Sequence, residues 1–521
     1  MSTFHGLEMA KQALFAQQSA LYTTGHNIAN ANTDGYTRQR VNFETMSPYP
    51  SASRNRPQIP GQMGTGVQIG AVERIRNKFL DEQFRAENSR MSYWEAKSSA
   101  LSRMEELINE PSDSGLSKTM DLFWQSLQDL AGNPEKSGAR SVVAERGKAV
   151  TDTFNYLANS LESIRTDLKS EIDATVEDAN SLLRQINRIN EQIKTIEPHG
   201  YLANDLYDDR DRLIDELSEI INIKVDYHKS EGGALDIADG IVSIELVDKT
   251  GQSIDPPIKL IDENIDYDDD HFKELITINE SDGAIESLAI KTVGNDDYII
   301  AASTLIDDSI GSLTGLIEAY GYRSNDEVFG EYPHMMEQLD LMAYEFATAF
   351  NEQHRKGIDL NGDQGGDFFD ITESSKGAAS SITVRDDILK QPSLIAASSG
   401  ELIDDEEGVG YSGNGKNALK LSDVFDDPID ELDDKSVRDF LGSLISQLGI
   451  NAQEANRMSS NTSVLRSQVE EQRMSVSSVS LDEEMANMIK FQHAYNAAAR
   501  SMTAIDEMID RIINGMGLVG R

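Results

Sequence analysis

Two segments at the ends of the chain repeat mainly apolar residues every seven positions, and this constrains the fold more than any other feature. In the first segment, residues 2–31, the repeat consists of Leu7, Leu14, Leu21 and Ile28. In the last segment it consists of Leu481, Met488, Tyr495, Met502 and Ile509. Seven-residue spacing aligns side chains along one narrow stripe of a helix, as in coiled coils. The sequence therefore predicts two long terminal helices that pack through these stripes.

A second position in each repeat completes the predicted stripe. At the N-terminus it is filled by Ala10, Gln17, Thr24 and Ala31. At the C-terminus it is mostly filled by Met485, Gln492, Ala499 and Ile513. A helix with so narrow an apolar stripe is marginally stable alone. We therefore expect the terminal helices to be completed by each other and by neighbouring copies of the chain.

Helical periodicity also dominates the segments between the ends. Apolar residues at steps of three and four predict helices over 79–108, 117–130, 141–198, 204–220, 309–356 and 437–512. The longest, 141–198, ends at Pro198, which cannot continue a helix. Such long periodic segments are typical of a coiled coil or of a long helical bundle.

A small β insert interrupts the helical pattern. Short apolar and β-branched runs predict strands at 223–227, 241–247, 275–278 and 288–293. The proline- and glycine-rich segment 46–66 is predicted to be an extended loop. Residues 357–435 are rich in glycine and aspartate and are predicted to hold a few short strands and helices.

These elements predict a mainly α fold with a β insert, in an elongated, hairpin-like chain. Residues 1–40 and 480–521 would form a terminal coiled-coil domain for assembly. Residues 41–222 and 301–479 would form a long helical bundle domain with some β structure. Residues 223–300 would form a small, acidic, mostly β surface domain.

Charge and composition exclude several classes of function. The formal net charge of −43 repels nucleic acid and anionic lipid. The absence of cysteine excludes disulfides, thiolate catalysis and cysteine–zinc sites. No apolar run is long enough to span a membrane, and the N-terminus has no apolar core of a cleaved signal peptide. We expect no nucleic-acid partner and no membrane insertion; if the protein is secreted, it uses another export route.

One loop has partial resemblance to a calcium-binding loop. Its candidate ligands are Asp359, Asn361, Asp363 and Asp370. Gln364 stands where such loops need glycine, and Asp370 stands where they need a bidentate glutamate. The competing interpretation is a tight acidic turn that places Phe368 and Phe369 in the core. This interpretation is favoured, and no metal is assigned.

The sequence offers no catalytic constellation. It contains no His-Glu-x-x-His zinc motif, no phosphate loop and no Gly-x-Ser-x-Gly elbow. Paired carboxylates are uninformative in a chain with 90 aspartates and glutamates. We therefore predict that the protein is not an enzyme and uses no cofactor.

Motifs at both ends carry a family resemblance. Residues 27–36, Asn-Ile-Ala-Asn-Ala-Asn-Thr-Asp-Gly-Tyr, resemble the N-terminal motif of bacterial flagellar rod, hook and hook-associated proteins. Residues 482–500 resemble the matching C-terminal motif. Together with the seven-residue stripes, they identify the candidate assembly residues as Leu7, Leu14, Leu21, Ile28, Asn30, Asn32, Gly35, Tyr36, Leu481, Met485, Met488, Tyr495, Met502 and Ile509.

Two interior segments narrow the resemblance to the hook-associated protein 1 family. They are residues 204–213 and 351–369. The resemblance implies a structural subunit of the flagellum that self-assembles into a ring at the hook–filament junction and is needed for filament assembly. Its implied partners are hook protein, hook-associated protein 3 and an export chaperone that binds the C-terminal region. It also implies secretion through the flagellar type III export channel.

Alternatives remain at the level of the sequence. The chain could be another axial protein, such as hook or distal rod, although these do not resemble the interior segments. An exported coiled-coil adhesin is a less favoured class, because surface-binding repeats are missing. Asn27, Asn30 and Asn32 could cap the first helix or bridge to a neighbouring subunit, and local capping is the favoured interpretation. Met485, Met488 and Met502 could be plain core or an adaptable binding surface.

Overall fold

Helices dominate the fold. The computed structural model describes residues 3–50, 54, 57, 61–108, 115–262, 274–281, 283–291, 298–325, 327–399 and 413–515. Helix makes up 65% of the structure and strand 14%, which confirms the predicted mainly α class with small sheets. None of the described helices combines the length and apolarity needed to cross a lipid bilayer.

Thirteen helices follow one another along the described chain. They are α1 (Thr3–Ala29), α2 (Lys78–Ile108), α3 (Leu116–Gly132), α4 (Ser137–Ile196), α5 (Asn204–Ile220), α6 (Ala302–Asp308), α7 (Ser312–Tyr320), α8 (Glu331–Arg355), α9 (Ala378–Ser381), α10 (Asp386–Lys390), α11 (Lys416–Asp423), α12 (Val437–Ser477) and α13 (Leu481–Gly515). Helix α4 has 60 residues and is therefore about 90 Å long. This length confirms the predicted elongated shape.

The strands form several small sheets. They are β1 (Gln39–Thr45), β2 (Val67–Arg74), β3 (Ile223–His228), β4 (Ile241–Val247), β5 (Ser253–Ile261), β6 (Glu274–Ser281), β7 (Ala284–Lys291), β8 (Tyr298–Ala301), β9 (Tyr322–Ser324), β10 (Glu327–Phe329), β11 (Gly357–Ile358), β12 (Phe369–Asp370), β13 (Thr383–Val384) and β14 (Ser398–Ser399). Strands β3, β4 and β5 form one antiparallel sheet. Strands β6 to β10 form a five-stranded sheet in which β7 pairs with β6, β8 and β9.

Two hairpins depart from the sequence prediction. Strands β1 and β2 pair on either side of the 46–66 loop, where no strand was predicted. Strands β9 and β10 interrupt the helix predicted over 309–356. Gly321 and Gly330 have φ values of 121° and 136°, which end α7 and begin α8 on either side of that hairpin. Strands β9 and β10 belong to the five-stranded sheet although they lie beyond residue 300. The boundary of the 223–300 domain remains a prediction.

The core of the bundle contains a cluster of aromatic rings. Its members are Phe123, Phe346, Phe350, Phe368, Phe369 and Phe425, all almost fully buried. Ring centroids of neighbouring members lie 4.8–6.1 Å apart, within the range of favourable aromatic pairing. Phe368 and Phe369 thus enter the core, as the acidic-turn interpretation predicted.

The predicted helix over 437–512 is divided into two pieces. Ser478 has an extended backbone, with φ −75° and ψ 157°, and it separates α12 from α13. Helix α12 packs on α2, whereas α13 packs on α1. The break therefore lies where the chain passes from the bundle to the terminal helices.

Candidate assembly site at the terminal helices

Helices α1 and α13 pack against each other in an antiparallel pair. Asn27, near the end of α1, donates a hydrogen bond to Glu484 near the start of α13, at 3.1 Å. At the other end, Gly6 lies against Ile505, and a Cβ on that glycine would be only 3.2 Å from Ile505 Cδ1. The two ends of the polypeptide therefore meet, as the stripes predicted.

Most of the predicted stripe residues are only half-buried in a single copy. They are Leu7, Leu14, Leu21, Ile28, Met488, Tyr495, Met502 and Ile509. The fully buried positions on α1 are small or polar, and they include Ala10, Ala20 and Thr24. Partial exposure of this many apolar side chains leaves surface for further contacts.

Two of the predicted stripe residues of α13 are exposed in a single copy, and their role in assembly remains a prediction. Met485 is 57% exposed and Leu481 is 48% exposed, although both were predicted to face the partner helix. Contacts with α1 are made by Glu484, which accepts a hydrogen bond from Asn27, and by Ile505, which lies against Gly6, while Phe491 packs on Phe43 of β1. Glu484 was missed in the sequence because a carboxylate is not expected in an apolar stripe.

An exposed apolar face runs along each terminal helix. On α1, Phe4, Phe15 and Tyr22 are 63%, 52% and 77% exposed. Their spacing of eleven and seven residues places them on the same side of the helix. On α13, Leu481, Met485 and Ile489 follow at steps of four and are about half exposed. The α1 aromatics were missed, although their spacing is visible in the sequence.

The N-terminal motif forms a hydrogen-bond network centred on Asn27. Its amide oxygen accepts bonds from Tyr36 Oη at 2.8 Å and from Gln39 N at 3.0 Å. Its amide nitrogen donates to Gln39 O at 2.8 Å and to Glu484 Oε2. Arg38 completes the network by donating from Nε to Glu484 Oε1 at 2.9 Å. Asn27 is therefore a bridge between the terminal segments and not a local cap.

The other motif residues have separate roles. Asn30 donates to His26 O at 3.1 Å and so caps the end of α1 locally, while Asn32 is exposed. Gly35 has φ 75°, a conformation that side chains rarely adopt. Burial, together with nearby acidic groups such as Asp208, raises the pKa of Tyr36 well above its ordinary value, so its hydroxyl stays protonated.

A buried ionic cluster fixes this network to the bundle. Thr37 N donates to Asp208 Oδ2 at 3.1 Å, and Arg74 Nη1 lies 2.8 Å from Asp208 Oδ1 and 3.0 Å from Asp211 Oδ2. Arg473 Nε, near the end of α12, lies 2.9 Å from Asp81 Oδ1 on α2. The cluster therefore ties β2, α2, α5 and α12 together beside the break between α12 and α13.

Asp211 is the most enclosed carboxylate of this cluster. Burial alone would raise the pKa of Asp211, but the guanidinium groups of Arg76, Arg74, Arg210 and Arg85 outweigh burial and hold the pKa far below its usual range. The carboxylate is therefore charged at every physiological pH. The interior segment 204–213 thus supplies the acidic side of an anchor for the terminal helices.

The second interior segment braces the aromatic core. Asn351 Oδ1 accepts bonds from the amides of Phe368 and Phe369, both at 2.9 Å, and its Nδ2 donates to Phe369 O. His354 Nδ1 lies 2.7 Å from Gly366 O, and Ala396 N donates to His354 Nε2 at 2.9 Å. The segment therefore holds the turn after α8 against the core.

The calcium candidates lie in that turn. Both carboxylate oxygens of Asp359 accept bonds within the loop, from Asn361 N, Asn361 Nδ2 and Asp363 N, at 2.8–3.1 Å. Asp370 lies on β12 and is exposed. In the part of the chain that the structure describes, no three His, Cys, Asp or Glu residues are grouped to hold a metal ion. The geometry gives calcium no converging set of ligands.

Models of flagellar protein families match three parts of the chain. A model of the flagellar hook-associated protein FlgK helical domain matches residues 101–369, which is about half of the chain. A model of the flagella basal body rod protein matches residues 7–37. A model of the flagellar basal body rod FlgEFG protein C-terminal region matches residues 470–515. The two terminal matches contain most of α1 and all of α13, together with Asn27, Tyr36 and Glu484 of the hydrogen-bond network.

Full-length relatives agree with these models. The chain is 48% identical to the flagellar hook-associated protein 1 of Bacillus subtilis (strain 168), with all of both chains covered. It is 25% identical to that of Escherichia coli (strain K12), over 97% of this chain and 98% of the relative. Its fold resembles the flagellar hook junction protein FlgK from Burkholderia pseudomallei, with a TM-score of 0.59 and 14% identity over 76% of this chain and all of that one. The chain therefore belongs to the flagellar hook-associated protein 1 family.

Proposed function

We propose that the paired terminal helices of this protein pack beside those of neighbouring copies and so build a ring. As a member of its family, the protein is a structural subunit of the hook–filament junction. The observation that carries the ring proposal is the exposed apolar face formed by Phe4, Phe15 and Tyr22 on α1 and by Leu481 and Met485 on α13. Exposed apolar surface of this kind is typical of an interface between subunits.

The partners and the route of export follow from the same role. We propose hook protein on one side of the ring and hook-associated protein 3 on the other. The exposed methionine and isoleucine side chains at the start of α13 offer an adaptable apolar surface to an export chaperone before assembly. We also propose that the protein is exported through the flagellar channel without a cleaved signal peptide. It would act as a structural subunit, without catalysis.

Deletion of the gene tests the proposed position in the flagellum. We expect bare hooks on the cells and flagellin lost to the medium, measured by electron microscopy and immunoblotting. Normal filaments on the deletion strain would contradict the junction role. Cells without hooks would instead favour a rod or hook role, which the matches to rod proteins at residues 7–37 and 470–515 alone would allow.

A substitution tests the apolar face directly. Met485→Asp places a charge on an exposed site, so the fold of the single chain is expected to persist while packing between copies fails. A deletion strain that carries the Met485→Asp gene should lack filaments and should not be motile. Ser501→Asp is the matched control, because Ser501 is exposed and lies about 160° around α13 from Met485. Wild-type motility with Met485→Asp would count against this face.

A further inference from the structure

An acidic groove lies between four helices of the bundle. Helices α2, α4, α5 and α7 enclose a volume of about 720 Å³, within the range of pockets that hold small ligands or side chains. Its floor is apolar and includes Ala96, Leu182, Ile220 and Leu316. Its rim carries the carboxylates Glu95, Glu171, Asp178, Glu216 and Glu219, and none of the described residues that line it is basic.

The carboxylates of the rim repel one another. Burial is the main cause that raises the pKa of Glu219; the hydrogen bond with Asn88 and the charge of Arg466 oppose it, and the charges of Glu216 and Glu95 add to it. Glu171 and Glu216 each pair with an arginine, Arg103 and Arg212, that lies outside the groove. The groove therefore presents an apolar floor beneath an excess of negative charge, and a segment with apolar and cationic side chains would complement both.

The same chain contains a segment that has apolar and cationic side chains and no acidic ones. Between Glu44 and Glu73 there is no aspartate or glutamate, and the only charged residues are Arg54 and Arg56. This stretch contains the 46–66 loop, whose apolar residues include Tyr49, which is 49% exposed. This run of 28 residues contains no acid, although the chain has 90 acidic residues among 521.

The loop is held away from the groove of its own copy. Its base packs on the first turns of α1, where His5 Nε2 lies 3.3 Å from Gly64 O and Gly66 approaches Met9. His5 is about 33 Å along α1 from Asn27, where the terminal helices meet the bundle. From the Tyr49–Met63 bridge the loop can extend roughly 20 Å at most. Roughly 20 Å is less than the distance to the bundle, so a loop of this length is too short to reach the groove of its own copy.

We propose that the 46–66 loop of one copy docks in the acidic groove of a second copy. Arg54 and Arg56 would neutralise the rim, and the proline- and isoleucine-containing part of the loop would cover the apolar floor. This contact would join the terminal region of one subunit to the bundle of the next. The proposal rests on the proposed self-assembly, and it adds a second interface to the one between terminal helices.

Cross-linking within assembled flagella tests the contact, since the natural chain has no cysteine. Gln62→Cys in the loop and Ser99→Cys in the groove leave every charge in place, and both sites are exposed. A short bis-maleimide should give a ladder of dimers and larger multimers from isolated hook–filament complexes. Each single-cysteine variant should give none.

Charge reversal shows whether the arginines carry the contact. Adding Arg54→Glu and Arg56→Glu to the cysteine pair should lower the cross-linked fraction about tenfold. Adding Glu95→Lys and Glu219→Lys to the cysteine pair should also lower the cross-linked fraction about tenfold. Combining the arginine and glutamate reversals in one chain should restore the cross-linked fraction. Arg146→Glu is the matched control, because Arg146 is exposed on α4 and should leave the ladder unchanged.

The outcomes separate this contact from the ring itself. Filaments on cells that carry the cysteine pair show that the subunit still works, so a missing ladder would then overturn the loop–groove contact alone. A cross-link from Ser99→Cys to a different flagellar protein would also overturn it, because the occupant would not be a second copy. Filaments on the deletion strain would instead overturn the proposed function.

Discussion

Arg140 is a buried cation whose hydrogen bonds go to backbone carbonyls. Arg140 is almost fully buried, and its guanidinium donates to the carbonyls of Pro134, Ser393 and Ile395. Burial lowers the pKa of Arg140, and the charge of Asp359 partly offsets this effect. Arg140 thus holds the loops at either side of the aromatic core with three acceptors that would otherwise lose their partners.

His354 makes the fold sensitive to acid. Burial is the main cause that lowers its pKa, and Arg140 acts in the same direction, while the bond to Gly366 O and the charges of Asp367 and Asp359 oppose it. In the neutral ring Nδ1–H donates to Gly366 O and Nε2 accepts from Ala396 N. Protonation of Nε2 would break the second bond.

The sign of the pH effect follows from this lowered pKa. In the unfolded chain His354 takes up a proton at a pH of about 6.5, whereas in the folded chain it does so only at a lower pH. The contribution of neutral His354 to the free energy of unfolding is therefore complete above a pH of about 6.5. It is lost as the pH falls towards the folded pKa. Urea unfolding at pH 8, 7, 6 and 5 should show this loss. His354→Gln, which can keep both hydrogen bonds, should reduce the slope below pH 6.5 by up to about 1.4 kcal/mol per pH unit. Equal slopes in both proteins would contradict the prediction.

At the scale of elements, the helices were easier to predict than the hairpins. Helix α5 was predicted with its observed bounds, Asn204–Ile220, and α2 was predicted to within one residue, because long apolar periodicity depends on local sequence. The β1–β2 hairpin was missed because 21 residues separate its strands, far more than the two to five of common hairpin loops. The burial of Glu484 on α13 could not be predicted locally, because its partners Asn27 and Arg38 are distant in sequence.

Arg38 couples the two terminal helices. Its backbone N donates to Ser477 O at the end of α12, and its side chain pairs with Glu483 and Glu484 at the start of α13. Glu484 is only 3% exposed at its side chain, so removing its cation would leave a buried charge uncompensated. Arg38→Ala should therefore cost about 3 kcal/mol in the local opening of α1 and α13.

Hydrogen exchange in the assembled hook–filament complex measures that opening. Amides of both α1 and α13 should exchange faster in Arg38→Ala, while those of α4 should not change. Arg40→Ala is the matched control, because Arg40 pairs with Glu73 at a more exposed site. Faster exchange in α13 alone would show that the helices order independently.

At the scale of the whole molecule, charge is distributed unevenly. Residues 9–33, 45–72 and 485–505 contain no aspartate or glutamate, although the chain carries a formal net charge of −43. These segments belong to the terminal helices, the β1–β2 hairpin and its loop. Like charge elsewhere repels copies of the chain, so close approach is favoured only where the acidic residues are missing.

This charge predicts how salt affects stability. Raising NaCl from 0.01 M to 0.15 M shortens the Debye length from about 30 Å to about 8 Å, which screens repulsion across the exposed surface. The buried cluster around Asp211 is screened much less. The melting temperature of the monomer, followed by circular dichroism, should therefore rise, by about 1 °C for each kcal/mol of relieved repulsion in a chain of this length. A fall with salt would mean that attractive surface pairs outweigh the repulsion.

The bond between Asn27 and Glu484 joins residues that lie 457 positions apart. During synthesis the N-terminal helix leaves the ribosome first, and its carboxylate partner leaves almost last. A chain that stops anywhere before Glu484 leaves Asn27 and Arg38 without this partner. Closure of the terminal pair therefore requires synthesis to pass Glu484, and subunits truncated before that residue lack this means of forming the surface that assembly uses.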